Sequence, residues 1–216
     1  MVLQRLSFVV FVVILLFARV STHDGYNADK VAFTTSVFGT ETLQVVAGHL
    51  PGLVADFKLL NVFSLFNEMQ KHPQSDYGIY IYEDLTYASD LDPKFHDVYR
   101  LASSILAFDA NMPEEAVILL EKGTYAMPDQ WDMPFLGGFI AFEQAGNHHK
   151  AFELMSIAAT REHAPPFTAL LAARYLRNES TVEETISFLQ SLVKMMPEDY
   201  QAGILRRIDE LKEEVK

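Results

Sequence analysis

MPFLGGFIAFEQAGNHHKAFELMSIA, residues 133–158, holds the architecture of the chain in miniature. Its apolar and small residues step by three and four, Phe135, Gly138, Phe139 and Phe142 first, then Ala151, Met155 and Ala158. That is the period of a helix packed on one side. Gly146 and Asn147 interrupt the two runs and supply a turn. The stretch is therefore a helical hairpin, and it is bracketed by Pro128 and Pro165.

On either side of this hairpin, proline returns at Pro93, Pro128 and Pro197, with Pro165 close to the missing register. Proline cannot continue a helix, so each marks the handover from one pair to the next. The matching second-helix positions Ile81, Ala116, Ala151 and Thr185 are spaced 35, 35 and 34 residues. A fixed period of this size predicts a solenoid of stacked helix pairs. Small residues at these points let helices approach, while bulky ones fill the space between.

These residues resemble tetratricopeptide repeats, whose units are helix-turn-helix hairpins of about 34 residues. The pair over residues 133–158 fits the family pattern best. The pair before it keeps Ala116, Leu120, Gly123 and Pro128, but its first helix fits only when slipped by one residue, onto Tyr99, Ala102, Ser103 and Leu106. The last keeps Ala172, Ala173, Leu176, Leu189, Leu192 and Pro197, with Thr185 where the family has Ala. The first keeps Ile81, Leu85, Ala88 and Pro93. The strings LPGLVADF, LDPKFHDVYRLASSIL and APPFTALLAARYL, with the central one, further resemble bacterial membrane-anchored tetratricopeptide proteins. The resemblance implies an all-α array of about four pairs over residues 50–197 that holds other proteins. Residues 198–216 read as a last helix with a polar outer face, the cap such an array needs.

Upstream of the array, Arg5 precedes an apolar run from Leu6 to Phe17. About a dozen residues match a signal-peptide core. With Val2 and Leu3 added and Arg5 snorkelling, the run also reaches across a bilayer. Small residues are not cleanly paired for cleavage near Ala18 to Thr22, which favours a retained anchor over a removed signal. Residues 1–22 are thus expected to be a signal anchor or signal peptide, and the remainder to be exported. Residues 23–49, with the β-branched KVAFTTSVFGTETLQVV, are expected to be extended. After Pro51, Leu53, Phe57, Leu60, Ser64 and Leu65 share a face of a helix expected to run to about Gln70.

Composition narrows the function. Lys and Arg number 17 against 29 Asp and Glu, a formal charge of -12, which opposes binding to nucleic acid. The chain has no cysteine, so disulfides, thiolate metal sites and thiol nucleophiles are excluded. His148 and His149 are adjacent and diverge by about 100 degrees on a helix, too far to chelate one metal. No phosphate-binding glycine loop, Gly-x-Ser-x-Gly or His-Glu-x-x-His occurs. The reading is a non-enzymatic adaptor without cofactor or metal.

If the resemblance holds, the first helix of each pair lines the groove. Its positions are Arg100, Ser104 and Phe108, then Met133, Leu136, Ile140, Glu143 and Gln144, then Phe167, Leu170, Arg174 and Arg177. Three arginines in an acidic chain suit capture of an acidic protein or peptide. The alternative is that each arginine ion-pairs with a neighbouring glutamate. A structural subunit, packing on a membrane partner or on itself with the groove self-occupied, is the competing reading.

Overall fold

In the computed structural model of the chain, the described residues are 46–178 and 180–214. Among them the fold is all-α, with no strand. Residues up to Leu50 form one unit, and a second compact unit, Pro51–Lys216, contains the helices described here. They are α1 (Pro51–Lys71), α2 (Tyr77–Leu91), α3 (His96–Leu101), α4 (Pro113–Ala126), α5 (Asp132–Glu143), α6 (His148–Thr160), α7 (Phe167–Leu176), α8 (Val182–Val193) and α9 (Glu198–Glu214). Between α3 and α4 the chain runs on as a π-helix, Ala102–Asp109. Each helix packs on its successor, and the longest-range partnerships join neighbouring pairs.

Two of the turns share one geometry. Asn111 and Gly146, 35 residues apart, both have positive φ, 54° and 64°. The flanking hydrogen bonds are also copies of one another. Ala110 N–H donates to the Ile105 carbonyl at 2.8 Å and Ala145 N–H to that of Ile140 at 3.0 Å. One step on, Met112 N–H reaches Leu106 and Asn147 N–H reaches Ala141, each at 2.8 Å. Gly and Asn are the residues that adopt this left-handed conformation at least cost. Asn147 then caps α6 by accepting from Lys150 N–H, and Thr181 and Glu184 form a reciprocal capping box on α8.

Gly138 permits a close approach of α5 to α6. A Cβ there would lie 3.0 Å from both the Ala151 carbonyl oxygen and the Met155 nitrogen, backbone atoms of α6. The main core runs from Ala55 on α1 to Tyr175 on α7. A second cluster joins Ala159, Ala169, Ala173, Leu189 and Leu192 to Ile204, Ile208 and Leu211 of α9.

Two readings of the sequence are refined and one is corrected. The one-residue slip of the second pair coincides with the π-helix, whose wider ladder absorbs one extra residue. On α1 the face read from the sequence is split: Leu53, Phe57, Leu60 and Ser64 are exposed, while its Leu65 is buried with Val54, Ala55, Val62 and Met69. The helix is apolar on both sides, and its polar groups decide which side goes in. Lys58 Nζ and Asn61 Nδ2 each meet an oxygen of the buried Asp84 of α2, at 2.5 Å, so the face carrying them must turn inward. Finally, residues 46–49 are helical, where the sequence predicts an extended segment continuing to His49. The rest of that segment and the apolar run 6–17 lie outside the described residues. No helix among the described residues is long and apolar enough to cross a membrane.

Candidate partner-binding face

The outward sides of α3 with its π-helix, α5 and α7 carry the candidate groups. Arg100, Ser104 and Phe108 are all exposed, as expected. The backbone beneath them is unusual. Ser103 Oγ donates to the Arg100 carbonyl at 2.7 Å, and Ser104 Oγ reaches the Arg100 and Leu101 carbonyls at 3.3 Å. These hydroxyls serve carbonyls where the α-ladder changes to the π-ladder, the kind of local competition serine offers.

On α5, Glu143 and Gln144 are outward, but two expected groove residues are not. Ile140 is 1 % exposed and Met133 is fully buried, while Leu136 is half-buried. Helix α5 is packed against the π-helix, α4 and α6, so its buried arc is wide and includes Gly137, Gly138, Ile140 and Ala141. What remains outward is the line of Phe135, Phe139 and Glu143.

That line begins an aromatic cluster. Trp131, Phe135 and Phe139 step by four along the start of α5. The Trp131 ring lies 5.6 Å from Phe135 and 6.3 Å from Phe167 at the start of α7. Phe135 meets Phe167 edge-on at 5.5 Å and stacks on Phe139 at 6.5 Å. Phe139 and Phe167 are exposed, and Trp131 and Phe135 are half-buried. Rings at these separations attract one another beyond simple area burial. Phe135 and Phe139 read as packing positions of the helical hairpin and Trp131 is assigned no role, so sequence reasoning leaves all three out of the site. Their i, i+4, i+8 row is the signal that could find them.

Arg174 stands seven residues beyond Phe167, hence on the same side of α7. It is exposed, and neither it nor Arg100 has an ion-pair partner among the described residues. Arg177 does: its Nη2 lies 3.4 Å from Glu214 Oε2 of α9. The alternative of pairing with a neighbouring glutamate thus holds for Arg177 alone. Behind this face Tyr175 stacks on Phe142 at 4.1 Å, clamping α7 to α5. Burial raises the Tyr175 hydroxyl pKa, the Glu143 carboxylate adds to the rise, and Arg174 opposes it. Glu143 and Arg174 therefore both act on one hydroxyl, the acid from α5 and the base from α7. Near the other end of the face, His96 Nε2 pairs with Asp132 Oδ2 at 2.9 Å and ties the start of α3 to the start of α5.

The arrangement offers a row of partly exposed rings on α5 and α7, and two guanidinium groups, Arg100 on α3 and Arg174 on α7, that have no ion-pair partner among the described residues. Rings contribute contact area with little conformational cost, and guanidinium forks grip carboxylates. The chain matches no protein-family profile and no curated protein.

Proposed function

We propose that the chain is a tetratricopeptide-type array of four helix pairs closed by α9, working as a non-enzymatic adaptor. The equal turns at Asn111 and Gly146 and the 35-residue period support the array. Its ligand is a protein segment that combines an apolar or aromatic side chain with carboxylates. The observation that carries this reading is the aromatic cluster Trp131, Phe135, Phe139 and Phe167, with Arg174 two turns further along α7 and without an ion-pair partner among the described residues, in a chain of net charge -12. The apolar run and the resemblance support a place at the bacterial inner membrane, body outward, in assembly of an envelope system such as a secretion, pilus or polysaccharide-export machine.

The test is affinity capture of the full-length protein from membranes, comparing wild type with Arg100→Glu/Arg174→Glu and with Phe139→Ala. Removal of each charge-assisted hydrogen bond to the partner is expected to weaken capture by about tenfold or more. Raising the salt concentration should weaken it too, since exposed charge attraction is screened. Helicity should not change, because these residues are at the surface. Unaltered partner recovery by both variants overturns the reading.

A further inference from the structure

The outer side of α1 has no task in the partner-binding face, yet it is apolar. Leu53, Phe57, Leu60 and Phe63 are 46, 43, 62 and 49 % exposed, while the opposite side of the same helix is buried in the core. A helix apolar all round is ordinarily covered on every side. Helix α1 is the first element of its compact unit, so no preceding pair within that unit covers it.

We propose that the outer face of α1 is a homodimer interface, occupied by α1 of a second copy running antiparallel. Area supports this occupant. With about 200 Å² for each large side chain, the exposed fractions amount to about 400 Å² of apolar surface. An interface is about 60 % apolar, so this is the apolar share of a patch of about 700 Å². Each partner in a stable complex contributes about 800 Å².

Charge supports it too. Copies of a chain carrying -12 repel one another, and association needs a surface where that charge is missing. Between Leu53 and Asn67 the only charged residues are Asp56 and Lys58, and Lys58 is turned in toward Asp84. The remaining Asp56 is exposed and lies on the same arc, three residues from Leu53 and four from Leu60, so it is the one charge within the stripe. The stripe is also self-complementary, as a two-fold contact requires. Leu53 and Leu60 lie four and three residues to either side of Phe57. An axis through Phe57 sets each Leu53 against Leu60 of the second copy and the two Phe57 rings against each other.

The chain's lack of cysteine makes the test clean. In the full-length protein in its membrane, Phe57→Cys is expected to form a disulfide-linked dimer on mild copper-catalysed oxidation. Leu53→Cys and Leu60→Cys, co-expressed, should form a mixed dimer. Tyr125→Cys and Met195→Cys, at least as exposed but elsewhere, should stay monomeric. Leu53→Glu/Leu60→Glu should abolish cross-linking at Phe57→Cys while far-ultraviolet circular dichroism holds. Equal cross-linking at all sites overturns the proposal. So does a monomeric Phe57→Cys, whether it is open to maleimide or shielded by another part of the chain or by lipid.

Discussion

Replacing Gly138 by alanine sets two effects against each other on one atom. Alanine is the better helix former, by about 1 kcal/mol in a helix interior. Against that, the added methyl group would stand 3.0 Å from the Ala151 carbonyl oxygen, 3.0 Å from the Met155 nitrogen and 3.3 Å from the Met155 Cβ. Two of those three are backbone atoms of α6, which cannot rotate aside as a side chain can. The helices must part, and overpacking of this kind costs about 1–3 kcal/mol. The net expectation is destabilisation by up to about 2 kcal/mol, a fall of up to about 4–8 °C in melting temperature for a unit of this size. Gly203 of α9 is the control, because a Cβ there meets nothing within 4 Å. Gly203→Ala should stabilise by about 0.5–1 kcal/mol. Thermal melts followed by far-ultraviolet circular dichroism on the two variants check both signs. A Gly138→Ala protein at least as stable as wild type would refute the close α5–α6 approach and, with it, the packing argument for small residues in each pair.

Tyr99 is fully buried, its hydroxyl donates to the Pro93 carbonyl at 2.9 Å, and its ring lies against Gly123. Burial, then Asp92, then Asp90 push its pKa up to about 12. The unfolded chain loses this proton near pH 10, whereas the folded chain holds it to about 12. Stability present below pH 10 therefore falls as pH rises toward 12, by about 2–3 kcal/mol from this group. Tyr99→Phe should be weaker at neutral pH by about 1 kcal/mol and should lose less between pH 10 and 12 in denaturant titrations. The second expectation concerns placement: Ser75→Cys, in the exposed turn after α1, should react with an impermeant maleimide in intact spheroplasts, and absence of labelling would put the body inside the cell.

The helix pairs were legible because a Pro-marked 35-residue period and small residues at fixed offsets are direct consequences of packing. The slip in the second pair was legible as a slip, although only the backbone reveals the π-helix that causes it. The facing of α1 was not legible. Its apolar residues cover both sides, and the choice between them rests on Asp84, 23 and 26 residues away from the Asn61 and Lys58 it binds. In the candidate site, Arg100, Phe108, Phe167 and Arg174 point outward as their spacing implied. Ile140 does not, because α5 has neighbours on three sides and ideal groove positions assume fewer. Phe135 and Phe139 were hidden by their place in the hairpin pattern, which reads as a packed face, and Trp131 just ahead of it carried no pattern of its own. Here the third dimension leaves their edges in solvent.

If the aromatic–arginine face of α5 and α7 holds the partner, a cross-linker built into that face must find it. A photoreactive phenylalanine analogue at Phe139, compared with one at the more exposed Tyr125 of α4, is the decisive measurement. Light-induced adducts with another protein should form at position 139, not at 125, and should vanish when Arg174→Glu is added. Adducts at position 125 in equal yield, or adducts at 139 that survive Arg174→Glu, would contradict it.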